Sequence, residues 1–409
     1  MTTALKRVES NKGSHGVDKM PVKDLRAHIV KTWEETKLAL FQGNYEPQPV
    51  RRVEIPKPNG GVRTLGIPTV QDRMIQQAIT QVLTMIYDPT FSENSYGFRP
   101  RRQAHQAVRK VKNYIKEGYT WVVDIDLEKF FDKVNHDKLM GILERKIQDK
   151  VLLKLIRKYL QSGIMENGVK IRSTEGTPQG GPLSPLLSNI ILDELDKELE
   201  NRGLRFVRYA DDCNILVKTR KAAKRVMRSI SIFIEEKLKL KVNQSKSKVD
   251  RPWKRKFLGF SFTRSKANPK VRMAKESLKR LKEKIRILTS RKRAISMEIR
   301  IAKLNQYLMG WMGYYALMDT PSILKKLDSW IRRRLRQCLW KEWKNPRTRI
   351  RKLRGLGANK QQAYEWGNSR KGYWRISSSQ ILHTTLDNPY WEEQGLRSLS
   401  ERYNEIRLT

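Results

Sequence analysis

Two cysteines in 409 residues, Cys213 and Cys338, are too few for a disulfide framework or a zinc module. The five histidines, His15, His28, His105, His136 and His383, lie far apart with no HxxxH or HxE spacing, which argues against a histidine-based metal site. No run approaches the ~18–20 apolar residues that a spanning helix needs. The opening MTTALKRVES lacks the apolar centre of a secretory signal. A repeat of 20–50 residues is missing too, which excludes a solenoid. Acids are scarce: 42 Asp and Glu stand against 85 Lys and Arg, a formal net charge of +43.

What is abundant is positive charge, and it implies a polyanionic partner rather than a neutral metabolite. Basic residues run through the whole chain instead of forming one polybasic anchor, so nucleic acid is favoured over an anionic membrane. A cytoplasmic protein with no membrane partner is the expectation. Apolar residues make up 38%, low for a globular chain but well above a disordered composition. The length favours two or three domains.

Three zones differ in texture. Residues 1 to about 100 mix short helical patterns with Pro and Gly punctuation, and Asn59-Gly60 between Val53-Glu54-Ile55 and Val62-Arg63-Thr64-Leu65 predicts a β-hairpin. Residues 100 to about 262 alternate helices and strands. From about 270 the pattern is helical: Leu278, Leu281, Ile285 and Leu288 fall at helical spacing, as do Leu304, Tyr307, Leu308, Trp311, Met312 and Tyr315. Between Trp330 and Arg354 there are eleven basic residues and one acid, Glu342, where a solvated helix face would mix signs. Trp330, Trp340 and Trp343 interleave with them, a combination suited to RNA backbone and bases, although some of these Trp must be core.

In so basic a chain, clustered acids stand out. Trp121-Val122-Val123-Asp124-Ile125-Asp126 is an apolar strand ending in acids. Arg205 to Tyr209 and Cys213 to Val217 are β-rich runs around Ala210-Asp211-Asp212, the look of a hairpin with adjacent carboxylates at its turn. Turn chemistry alone would explain Asp-Asp at such a tip. Acids at the ends of neighbouring strands can also hold two Mg²⁺ ions roughly 3.5–4 Å apart for in-line phosphoryl transfer.

Tyr209-Ala210-Asp211-Asp212, with Asp126 upstream and the run Gly176-Thr177-Pro178-Gln179-Gly180-Gly181-Pro182-Leu183-Ser184-Pro185-Leu186 between, resembles the palm of a reverse transcriptase. The variant is that of group II intron-encoded proteins, as are Arg52 to Pro58, Tyr96-Gly97-Phe98-Arg99-Pro100 and Phe257-Leu258-Gly259-Phe260. Asn305 to Tyr315 resembles the maturase, or thumb, region. With only Cys338 and His383 after Ser290, the chain resembles the compact subgroup that lacks an endonuclease module.

The resemblance implies an α+β right-hand polymerase. Fingers and palm, with an antiparallel palm sheet, would span 1–262, with an N-terminal extension over about 1–30. An α-helical thumb would follow over 263–348, and a basic C-terminal DNA-binding region over 349–409. It implies RNA-directed DNA synthesis with two Mg²⁺ ions, Mn²⁺ being a possible substitute. Implied partners are the intron RNA, an RNA template–DNA primer duplex, target DNA and dNTPs, in the bacterial cytoplasm, as a monomer or dimer. Asp126, Asp211 and Asp212 would be catalytic and, with the Leu127 backbone, would hold metal. Asp124, one strand period away, is a rival to Asp126; the aromatic Phe131, five residues beyond Asp126, favours the latter and would be the steric gate against a 2′-hydroxyl. Lys57, Arg63, Gln179, Gly180 and Lys246 would surround the dNTP, with Lys248 an alternative to Lys246. Phe257, Leu258, Gly259 and Phe260 would form the primer-grip hairpin. Asn11, Lys12, Arg99, Arg332, Arg333, Arg334 and Arg336 would contact RNA. The competing readings are a non-enzymatic RNA-binding splicing factor and a stand-alone defence or CRISPR-associated reverse transcriptase.

Overall fold

The computed structural model describes residues 1–56, 60–166, 169–171, 175–177, 180–265 and 267–408. Two compact units follow one another along the chain, Met1–Phe257 and Leu258–Thr409, dividing ahead of the boundary expected after residue 262. The architecture is α+β, as the sequence implies.

The first unit runs α1 (Thr2–Asn11), α2 (Leu25–Phe41), β1 (Val50–Pro56), β2 (Val62–Ile67), α3 (Val70–Tyr87), α4 (Ala104–Lys116), β3 (Trp121–Ile125), α5 (Phe130–Lys133), α6 (His136–Glu144) and α7 (Lys150–Gln161). It continues with β4 (Ile164–Glu166), β5 (Val169–Ile171), α8 (Ser184–Asn201), β6 (Arg205–Tyr209), β7 (Asp212–Val217), α9 (Arg220–Glu236) and β8 (Lys248–Asp250). The expected hairpin is present: β1 and β2 pair antiparallel from Arg51↔Ile67 to Pro56↔Val62. Lys57, Pro58 and Asn59 of its tip lie outside the described residues. β4 and β5 extend this sheet in the order β2-β1-β4-β5.

The second sheet of this unit has the order β6-β7-β3-β8, every pairing antiparallel. Strand alternation sorts its side chains. Val123, Ile125, Phe206, Cys213 and Ile215 enter one continuous core with α8 and α9 side chains. Asp124, Asp126, Asp212 and Asn214 occupy the opposite face. α8 is buried on almost every side from Ser184 to Leu199, which explains why Leu186, Leu187, Ile190, Ile191, Leu192 and Leu195 nearly encircle it.

One charged residue of the sheet turns into the core. Arg208 of β6 is fully buried, and so is its partner Asp196 of α8. Nε donates to Oδ1 at 2.7 Å and Nη2 to Oδ2 at 2.5 Å, a fork-to-fork pair. Arg208 Nη1 also donates to Asn189 Oδ1 (3.0 Å) and to the Ala210 carbonyl (2.9 Å). Outside β6, the segment 94–96 runs beside it: Arg208 N donates to the Asn94 carbonyl, Tyr96 N to the Arg208 carbonyl, and Ser95 forms a parallel bridge with Arg208.

The second unit is helical apart from the hairpin of β9 (Phe260–Phe262) and β10 (Val271–Met273). Its helices are α10 (Lys275–Leu288), α11 (Met297–Tyr315), α12 (Ser322–Glu342), α13 (Pro346–Gly355), α14 (Lys360–Gly367), α15 (Tyr373–Ile376), α16 (Gln380–Thr385), α17 (Asn388–Glu393) and α18 (Leu399–Leu408). Of the predicted stripes, Leu281, Ile285, Leu288, Leu304, Leu308, Met312 and Tyr315 are buried in its core, while Leu278, Tyr307 and Trp311 are half-buried. Trp340 and Trp343 are buried as well, so these two serve packing rather than base stacking.

Removing one member of a buried ion pair leaves an uncompensated charge. Arg208→Met should therefore lower the unfolding free energy by ~3–5 kcal/mol. Adding Asp196→Leu to that variant should recover a large part of the loss; denaturant unfolding of the full chain measures both.

Candidate active site

The β6–β7 connection is a two-residue turn, because Tyr209 pairs with Asp212 and leaves only Ala210 and Asp211 between. Ala210 sits at φ 55°, a left-handed conformation that a residue with a Cβ adopts only when its surroundings impose it. Those surroundings are identifiable. Arg208 holds the Ala210 carbonyl, and Gly97 lies so close that a Cβ there would fall 2.2 Å from the Ala210 nitrogen. Asn189 Nδ2 donates to the Gly97 carbonyl at 2.8 Å, tying this approach to α8. Gly97, Asn189, Arg208 and Asp196 were not singled out from sequence as site residues. The available signal was an arginine inside the apolar run Phe206-Val207-Arg208 and an acid inside an apolar helix.

β7 runs antiparallel to β3, with Ile125 opposite Cys213, so Asp126 follows β3 beside Asp212. Two hydrogen bonds hold the backbone of Asp126. Its carbonyl accepts from Asn243 N (2.8 Å), and its N–H donates to Ser247 Oγ (3.0 Å). Leu127 forms an antiparallel bridge with Val242 whose flanking bonds use the Asp126 carbonyl and the Glu128 N–H, not the Leu127 carbonyl.

The two rival acids differ in their partners. Asp124 accepts from Arg255 Nε at 2.9 Å, pairs with the same guanidinium through Nη2, and accepts from Asn214 Nδ2 at 3.3 Å. Its side chain is 17% exposed, against 36% for Asp126, whose nearest cation is Lys246 Nζ at 3.6 Å. Asp124 is thus held in an internal ion pair while Asp126 stays open to a ligand.

The electrostatics of the cluster are those of crowded like charges. Burial raises the Asp211 carboxyl above its ordinary value; Asp126 adds to this, while Arg63 and Arg208 oppose it. Asp212 is pushed up to about 6, first by the protein packed around it although part of the side chain still meets solvent. Repulsion from Asp211, Asp124 and Asp126 adds to the rise, and Lys256 opposes it. The donor chemistry fits a hard divalent cation, with carboxylate oxygens, mutual repulsion and little internal compensation. Among the described residues, no three His, Cys, Asp or Glu side chains converge closely enough to hold an ion as they stand.

Around the acids, Phe131 is half-buried on α5, edge-on to buried Phe130 with ring centroids 5.2 Å apart. The segment 175–177 lies along it: Thr177 N donates to the Phe131 carbonyl (2.6 Å) and Gly176 N to the Val134 carbonyl (2.7 Å). Gly180, at φ 132°, meets the Gly66 carbonyl of β2, where a Cβ would be 2.7 Å away. Arg63 of β2 is exposed, and its charge is felt at Asp211. Lys57 and Gln179 lie outside the described residues. Phe257, Leu258 and Gly259 form a turn into β9, with Leu258 at φ 49° and Gly259 at φ 84°, so only Phe260 of the four is in the β9 strand. Tyr314 Oη donates to the Leu258 carbonyl at 2.7 Å, and Ser277 Oγ to that of Gly259 at 3.0 Å.

Two of the expected RNA contacts, Arg99 and Arg336, need correction because both are buried. Arg99 is buried, donating to Asp88 Oδ1 (2.7 Å) and to the carbonyls of Asp88, Ser92 and Ser95. Arg336 is buried against the Ser377 and Leu386 carbonyls, and burial lowers its guanidinium to about 10. Arg334 donates to Thr289, and Arg333 to Trp374, over whose ring it also sits at 4.0 Å. These guanidiniums satisfy the protein's own carbonyls and rings. Asn11 and Lys12 are exposed at the end of α1, and Arg332 is half-exposed.

A carboxyl with a raised folded-state pKa costs stability as pH climbs from its unfolded to its folded value. With divalent cations chelated at pH 8, Asp212→Asn should raise the melting temperature, and the gain should vanish below about pH 4.

Residues 55–262 match the family model described as reverse transcriptase (RNA-dependent DNA polymerase), and residues 278–357 match the group II intron, maturase-specific domain. Protein YkfC of Escherichia coli K12 is 36% identical over 280 residues, which cover 59% of this chain and 74% of that protein. Group II intron-encoded protein LtrA of Lactococcus lactis subsp. cremoris is 43% identical over 175 residues, 42% of this chain but only 29% of LtrA. Among solved structures, a chain of the partial Cas6-RT-Cas1–Cas2 complex is 26% identical at a TM-score of 0.36, covering 58% of this chain and 42% of that one. The chain belongs to the reverse transcriptase (RNA-dependent DNA polymerase) family and carries the maturase-specific domain of group II introns behind its polymerase region.

Proposed function

We propose that this protein extends a DNA primer on an RNA template and also binds group II intron RNA as a maturase, aiding its splicing and mobility. The observation that carries the polymerase reading is the juxtaposition of Asp211, on a two-residue turn, and Asp212, which opens β7, with Asp126 at the end of the neighbouring strand, in a chain of net charge +43. A pure RNA binder has no need of three acids facing a polyanion. The family uses divalent metal ions; for this chain we assign Mg²⁺, with Mn²⁺ as a substitute, to Asp126, Asp211, Asp212 and the Leu127 carbonyl. Bound there, the ions would lower the pKa of the primer 3′-hydroxyl and offset charge on the leaving pyrophosphate.

The chain's own residues supply positioning. Arg63 would grip the triphosphate, a role its fork of donors suits. Lys57, Gln179 and Lys246 would complete this grip, and Gly180 would let the backbone approach the nucleotide. Phe131 would exclude a 2′-hydroxyl, and the Phe257–Phe260 segment would hold the primer end. Asn11, Lys12, Arg332, Arg333 and Arg334 remain the proposed RNA contacts, and the region 349–409 would bind target DNA. The protein would act in the bacterial cytoplasm, at the nucleoid when on DNA. The maturase-specific domain supports an intron-borne role over a stand-alone defence role.

Primer extension on poly(rA)/oligo(dT) with Mg²⁺ tests this. Asp126→Asn, Asp211→Asn and Asp212→Asn should each lower kcat by about a thousandfold, whereas Asp124→Asn should retain measurable synthesis. Tight RNA binding by a wild-type protein that incorporates nothing would leave the splicing-factor reading. In a salt titration, the logarithm of RNA affinity should fall steeply with the logarithm of salt; a shallow slope would mean that most of the positive charge is idle surface.

A further inference from the structure

Buried His136, at the first turn of α6, is not used by any role assigned above. Its ring makes one hydrogen bond among the described residues. Nε2 lies 2.6 Å from the Gly176 carbonyl, and Nδ1 is buried without a partner. A carbonyl only accepts, so Nε2 carries the proton and donates. Gly176 is therefore held from both sides: its N–H by Val134, its carbonyl by His136. The next residue, Thr177, bonds the Phe131 carbonyl. Glu175 adds a backbone bridge to Asn135 and an ion pair with Lys133. There is no slack in this seam. Gly176 has φ 91°, and a Cβ on it would come within 2.9 Å of the Phe131 and Asp132 carbonyls.

Further along the chain, Gly180 lies against Gly66 of β2 and Gly181 against Gln76 of α3. Among the described residues, His136 is the one side chain that bonds the Gly176 carbonyl.

We propose that His136 is a positioning residue for the incoming nucleotide. By fixing the Gly176 carbonyl, it sets the segment 175–177 against Phe131, and so sets both nucleotide affinity and sugar selectivity. The second part rests on the reading of Phe131 as the gate.

The experiment is steady-state primer extension by the full chain with dNTPs and rNTPs. Losing one buried hydrogen bond should raise the dNTP KM of His136→Leu about five- to tenfold, with kcat within about twofold, and narrow the preference for dNTP over rNTP. His136→Gln, which keeps a donor, should return KM toward wild type. Gly176→Ala perturbs the same seam from its other side and should give the same split if His136→Leu does not fold. An unchanged KM in the folded variants, or a fall in kcat alone, overturns the proposal. Phe131→Ala separates the two readings. If it leaves sugar selectivity intact, the gate assignment fails, and the KM of the His136 variants still decides the positioning role.

Discussion

Confining Asp126, Asp211 and Asp212 to one small region is electrostatically unfavourable, and much of the first unit serves to make that confinement rigid. The side chains that repel one another cannot hold their own geometry. Backbone and buried polar groups hold it for them. The turn is shortened to two residues, its left-handed alanine is pinned by Arg208, and Arg208 is pinned by Asp196 on the most buried helix of the unit. Gly97 then closes the other side, with Asn189 holding its carbonyl. Charge that would be repelled at the surface is positioned by charge that is paired in the core.

The order of the blocks around Asp126, Gly176 to Ser184 and Tyr209 to Asp212 was legible in the sequence, because each carries chemistry in its residue types. The choice between Asp124 and Asp126 was not fully legible. Both lie on one strand face, and what separates them is Arg255, 131 residues away from Asp124. The expected RNA contacts were the least legible. Arg99 and Arg336 look like any other arginine in a basic chain, yet they bind backbone carbonyls, acceptors that every residue has and no motif records. The tryptophans behave alike: Trp340 and Trp343 interleave with arginines in sequence and face inward in space.

These internal bonds alter the meaning of the net charge. A guanidinium that caps carbonyls inside a helical unit acts as a multi-donor crosslink, and its charge contributes to the field without being free to bind a phosphate. Arg300 behaves in the same way, buried and donating to the carbonyls of Leu288, Ser290 and Arg293. The second unit thus uses arginine for architecture as well as for its surface.

The segment 94–96 beside β6 has a consequence of a different kind. An unpaired strand edge is a template for adding another chain. Here the outer edge of β6 is occupied, because Arg208 exchanges its backbone bonds with Asn94 and Tyr96. The opposite edge is β8, three residues long, starting at Lys248 and followed closely by Pro252. Short length, a lysine and a proline all discourage strand addition. The sheet that carries the acids is therefore protected at both borders against edge-to-edge association.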